Sequence, residues 1–252
     1  MRQRSGGGDD VAGRMTGQAV PGESPAAAGG VTSSRRPFGN ALADALARLL
    51  QRAIALGDAF ARGRALKPLV FVSSLLPLAW LVYLLFTGGL GANPIESLTD
   101  RTGELGLRLL LLSLMVTPLR FAIHRTWPLK LRRMLGLFAF FYVVLHVAVW
   151  SLLDQRLNLY DMWADLMERP YILAGFIGFA ILLPLAATST RRIARRMKMR
   201  WFALHRLVYI GAAAAVVHFV WLTRGDQIEP FVYLAILVGL YLIRFARMLK
   251  TA

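Results

Sequence analysis

Four histidines stand in this chain of 252 residues, and three of them, His146, His205 and His218, lie inside long apolar stretches. Imidazole is costly to place in hydrocarbon, so a histidine there is expected to have a partner and a task. No cysteine is present, which excludes disulfides, thiolate metal sites, iron–sulfur clusters and covalently attached c-type haem. Any metal or cofactor must be held by imidazole, thioether, carboxylate or backbone groups. Two imidazoles facing each other from neighbouring helices can take the two axial positions of a haem iron. The plainer alternative is a pair of histidines hydrogen-bonding between helices.

Spacing favours the first reading for two of the three. His146 lies 13 residues beyond Arg133, where its apolar segment begins, or about 20 Å at 1.5 Å per residue. His218 lies 17 residues beyond Trp201, about 25 Å by the same rise. The two are expected at similar height, away from the basic ends of their helices. His205, 13 residues before His218, falls about 20 Å away along the axis, a spacing that suits two stacked haems. At 100° per residue, however, the two side chains diverge by about 140°. Thirteen residues before His146 stands Arg133, so a second bis-histidine site on the same two helices is incomplete. His124, between Arg120 and Arg125, reads as a solvated loop histidine. Arg132, Arg133 and Arg206 flank the same helix ends, and their guanidinium forks suit haem propionates or a flavin phosphate. Topology alone also accounts for them. A proton relay is disfavoured because no Asp or Glu falls inside an apolar segment as read from hydropathy.

The elements that must position these histidines are transmembrane helices. The chain is 56% hydrophobic and 17% charged, where a soluble domain needs about a quarter charged residues. Its apolar residues fall in six blocks of bilayer length, at about 68–87, 104–120, 133–153, 170–189, 201–222 and 230–249. The expected fold is an all-α integral membrane protein, a six-helix bundle over 68–252. Residues 1–38, rich in Gly, Ser, Ala, Pro and Arg, read as a disordered basic tail. Residues 39–67 repeat leucine at helical spacing among arginines, as an amphipathic helix on an anionic lipid surface does, with a poorly ordered tail as the alternative. The net charge of +16 does not indicate nucleic acid, since no aromatic residues interleave with the basic runs. It reflects topology: with both termini inside, 25 of the 30 basic residues are cytoplasmic, and the outer segments carry nine acids against five arginines.

Three stretches resemble a known family: RRMLGLFAFFYVVLHVAVW (Arg132–Trp150), LPLAATST (Leu183–Thr190) and RWFALHRLVYIGAAAAVVHFVW (Arg200–Trp221). Together they are similar to the MsrQ (YedZ) family of the ferric reductase-like transmembrane superfamily, over residues of about 68 to 249. The resemblance implies a haem b membrane subunit, with one or two haems and FMN, in the bacterial inner membrane. Its implied partner is a periplasmic molybdopterin-containing subunit that reduces methionine sulfoxide in proteins, and its donor a quinone or a cytoplasmic flavin reductase. It implies an electron-transfer subunit rather than the catalytic one. By matching motif, His146, His205 and His218 are the family's haem-associated histidines, and Arg133 stands where related ferric reductases and oxidases carry another. A stand-alone transmembrane ferric or metal reductase is the alternative.

Overall fold

The computed structural model describes residues 38–62, 65–223 and 227–251. The expected disordered tail lies outside them, save Phe38, which opens the first helix. Among the described residues every regular element is helical, as hydrocarbon demands of a backbone that must satisfy its own hydrogen bonds. In order these are α1 (Phe38–Arg62), α2 (Leu66–Thr87), α3 (Pro94–Ile123), α4 (Leu129–Ala148), α5 (Leu159–Glu168), α6 (Pro170–Ala187), α7 (Arg191–Met197), α8 (Met199–Arg206), α9 (Val208–Leu222) and α10 (Glu229–Thr251). A π-helical turn, Val149–Asp154, extends α4, and α8 and α9 together make one crossing. Six helical stretches are long and apolar enough to span a bilayer, and the protein is a multi-pass membrane protein. The short α5 and α7 connect spans at opposite ends.

Local chemistry sets the ends of the spans. α2 stops at Gly88, whose left-handed φ of 71° lets its N–H reach the Leu84 carbonyl. Asn93 caps α3 by accepting from the Glu96 N–H at 3.4 Å, with Pro94 in the first turn. α3 therefore starts ten residues before the 104–120 expected from hydropathy. Its first turns carry Glu96, Thr99, Asp100, Thr102 and Glu104, which lower the local hydropathy without breaking the helix. The expectation that no carboxylate lies within a span is corrected by the same finding. At its other end α3 stops on His124, exposed and at φ 52°, whose N–H bonds the Arg120 carbonyl.

All of these spans belong to one compact unit, Ala47–Ala252. Its core is a seam of Leu107, Leu110, Leu111 and Leu114 on α3, Ala139 on α4, Leu182 and Leu185 on α6, Ala212 and Val216 on α9, and Leu237 and Leu240 on α10. α3 pairs with α4 and α6 with α9; α10 lies against α9 and α3. α2 is attached through the buried Tyr142 hydroxyl, which donates to the Ser74 carbonyl at 2.7 Å. Its remaining surface shows Phe71, Leu76, Trp80 and Phe86 outward, as suits lipid rather than water. In α1, Leu49, Leu50 and Leu56 are exposed, and Asp58 reaches Arg125 of the α3–α4 loop at 2.9 Å.

Candidate functional site

A cavity of about 430 Å³ opens between α3, α4, α6 and α9. His146 and His218 enter it from α4 and α9, their ring centres 6.2 Å apart and their planes at 73°. Each ring is fixed from behind. His146 Nδ1 faces the Thr99 carbonyl at 2.8 Å, and His218 Nδ1 faces the Tyr171 carbonyl at 2.6 Å. A carbonyl oxygen only accepts, so each Nδ1 carries the proton and each Nε2 is left with its lone pair. Such a hydrogen bond is what orients an imidazole that ligates a metal.

Two glycines make this seating possible. A Cβ on Gly103 would stand 2.9 Å from His146 Nδ1, and one on Gly175 would stand 2.9 Å from His218 Nδ1. Any side chain there would push the ring off its carbonyl. The two half-sites share one spacing: Thr99, Gly103 and His146 correspond to Tyr171, Gly175 and His218, at an offset of 72 residues in every case. Gly106 and Gly178 obey the same offset, and each admits its partner helix closely, α4 at Val143 and α9 at Gly211 and Ala215. Of these residues His146 and His218 are the ones the sequence pattern picks out. Thr99, Gly103 and Tyr171 emerge only when the chain is aligned with itself.

The geometry fits a metal carried in a planar macrocycle. Imidazole nitrogens bound on opposite sides of one ion at about 2 Å each put ring centres roughly 6 Å apart. No group of three His, Asp or Glu among the described residues is placed to hold a bare ion, so two axial donors suit an ion whose other ligands come with it. The rest of the wall is largely apolar, with Leu107, Leu110, Val143, Phe179, Leu182 and Phe219. Its mouth is acidic, ringed by Glu96, Asp100, Glu104 and Asp154, with Arg169 beside them.

The opposite, basic end is built differently. His205 stacks on Trp201 at 3.9 Å, and its Nδ1 turns to the Trp201 carbonyl of its own helix at 3.1 Å. The Leu185 carbonyl of α6 also acts on this ring. The 72-residue offset maps His205 onto Arg133, which is exposed, as is Arg206. The structure thus brings His146 and His218 together, and leaves His205, Arg133 and Arg206 at the other end with no second histidine facing His205.

The model of the Ferric reductase like transmembrane component matches residues 102–216, the stretch that runs from α3 through most of α9 and carries both cavity histidines' helices. The protein-methionine-sulfoxide reductase heme-binding subunit MsrQ of Rhodospirillum rubrum is 47% identical over 176 residues, 69% of this chain and 85% of that one. Its counterpart in Polaromonas naphthalenivorans is 46% identical over 175 residues, 68% of this chain and 80% of the relative. That of Brucella ovis is 41% identical over 179 residues, 71% and 81%. This chain belongs to the MsrQ family.

Proposed function

We propose that the chain is a haem b membrane subunit that carries electrons across the inner membrane to a periplasmic molybdopterin-containing enzyme reducing methionine sulfoxide in proteins. The observation that carries the reading is the pair His146 and His218, each with Nδ1 held by a carbonyl and Nε2 turned to the cavity. Haem bound there supplies a one-electron redox centre within the apolar barrier. Thr99 and Tyr171 hold the two imidazole tautomers, Gly103 and Gly175 admit the rings, and the leucine and phenylalanine wall keeps water away. The names of the relatives, heme-binding subunits of a protein-methionine-sulfoxide reductase, support the same assignment.

In this reading the basic end faces the cytoplasm, following the distribution of Lys and Arg, and electrons enter there near His205, Arg133 and Arg206 from a quinone or a flavin reductase. FMN, and a second haem ligated by His205, belong to the same proposal and rest on the resemblance. Electrons leave at the acidic mouth, where the segment from Asp154 to Glu168 meets the partner. A stand-alone ferric reductase has the same cavity but reduces iron chelates without any partner.

The test is the dithionite-reduced minus oxidised visible spectrum of the detergent-purified protein. Sharp b-type bands are expected, lost in both His146→Ala and His218→Ala. Haem-loaded expression that gives no bands removes the proposal, and bands surviving either substitution move the ligand role elsewhere.

A further inference from the structure

The helix α1 carries a broad apolar face that the described residues leave largely uncovered. Its part from Ala47 on belongs to the same compact unit as the spans. At 100° per residue, Leu49, Leu50, Ala53, Ile54, Leu56 and Gly57 fall within an arc of about 160°. Leu49, Leu50 and Leu56 are 60%, 55% and 59% exposed. A continuous leucine surface of this kind marks a contact with lipid or protein. The arc is also wider than the narrow seam that two coiled helices share.

Two contacts fix which way that face turns. Gly57 rests against the half-buried Trp127 ring so closely that a Cβ there would overlap it. Asp58 accepts from Arg125 Nε at 2.9 Å. Both partners lie in the loop from α3 to α4, so the Ile54 edge of the arc is turned toward the protein, and Ile54 itself is half-buried. At the opposite edge Arg52 and Arg48 follow, about 40° and 80° beyond Leu56, and both are exposed. With Asp58 paired to Arg125, the remaining charges between Ala47 and Arg62 are all arginine. Arginines along the rim of a leucine face suit an anionic interface, because their methylenes cover apolar surface while the guanidinium reaches the headgroups.

We propose that α1 lies on an anionic lipid leaflet, with Leu49, Leu50 and Leu56 in the acyl boundary and Arg48 and Arg52 among the headgroups. The bilayer is close by, since the first span begins at Leu66, four residues after Arg62, and the exposed Lys67 adds a cation at that entry. Through Gly57 and Asp58 the same seating holds the α3–α4 loop at headgroup level. None of this depends on the electron-transfer reading.

The chain has no cysteine, so single cysteines in the full-length protein report without background. Nitroxides are placed at Leu49→Cys and Leu56→Cys, and on the other face at Gln51→Cys and Ala55→Cys. Relaxation by oxygen and by a water-soluble nickel chelate is then read in vesicles of phosphatidylcholine with phosphatidylglycerol. Oxygen is expected to reach the two leucine positions, and the chelate to reach them roughly threefold less than Gln51 and Ala55. Vesicles of phosphatidylcholine alone, or Arg48→Gln with Arg52→Gln, should reduce that contrast by roughly half. Equal chelate access at all four positions overturns the proposal, as does a contrast indifferent both to lipid charge and to the two arginines. Leucine positions closed to oxygen and chelate alike overturn it by showing that protein covers the face. Dipolar broadening between nitroxides at Leu49 overturns it in favour of a second copy of the chain.

Discussion

At the acidic end of the bundle, two half-sites of one spacing meet face to face, each histidine bonded to a carbonyl 47 residues earlier and seated on a glycine. At the basic end the correspondence is broken, because the position equivalent to His205 is Arg133, and His205 leans on its own helix through Trp201. One end is symmetric and presents two lone pairs to a shared cavity. The other is asymmetric and cationic, with Arg133 and Arg206 exposed. The difference teaches that one spacing of glycine and histidine, used on two helix pairs, places two like imidazoles face to face across a single cavity. Where the spacing departs, at Arg133, His205 is left without a histidine counterpart.

The largest effect should come from filling the glycine seats. Gly103→Ala and Gly175→Ala each put a methyl 2.9 Å from an imidazole nitrogen, and overpacking of this kind costs about 1–3 kcal/mol. Haem occupancy at limiting haem should fall by roughly tenfold for each 1.4 kcal/mol lost. Gly136→Ala, whose nearest neighbour is Ser113 Oγ at 3.4 Å, should load normally. Full loading of both seat variants would mean that the rings need no fixed register, and the symmetry would lose its function. Next comes His205→Ala, measured by haem per protein. It should keep the bands that depend on His146 and His218. A halved haem content would give the basic end a haem of its own despite Arg133, and loss of every band would merge the two ends into one site.

Much of the acidic end is legible from residue order alone. Apolar block length gives the six spans, and helical rise puts His146 and His218 at one height, because both depend on spacing that a straight helix preserves. The start of α3 is not legible that way. Glu96, Asp100 and Glu104 sit on a cavity wall and mouth, where a span tolerates charge that a hydropathy window penalises. Thr99 and Tyr171 are invisible for another reason, since their contribution is a backbone carbonyl and any residue type would offer it. Arg244 reads as one more basic residue at a C-terminal end, and only the packing of α10 on α3 shows its Nη2 donating to the Leu114 carbonyl.

A smaller, kinetic effect is expected at the acidic mouth. Asp154 and Glu168 are exposed, and in the proposed function they help meet the partner, so Asp154→Lys with Glu168→Lys should slow electron delivery to the periplasmic subunit. The expected change is roughly threefold to tenfold at low salt, shrinking as salt is added. Rates identical to wild type at low salt would remove the docking surface and leave the mouth as a route for small acceptors.

The smallest effect tests how firmly the basic end is held. α1 meets the α3–α4 loop through Asp58 and Arg125, an ion pair at 2.9 Å whose side chains keep 21% and 50% of their exposure. Water competes for both groups, and holding two long side chains in one geometry costs entropy, so such a pair contributes about 0.2–1 kcal/mol. A double-mutant cycle of Asp58→Asn and Arg125→Gln, read by thermal unfolding in detergent, should give a coupling in that range that weakens with salt. The buried Tyr142 to Ser74 bond that attaches α2 is shielded from salt, and Tyr142→Phe should cost about 0.5–1.5 kcal/mol at any ionic strength. A coupling well above about 2 kcal/mol for the ion pair would exceed what an exposed pair supplies. It would make α1 a structural member of the basic end, and the contrast between the two ends would then include a helix that only one of them possesses.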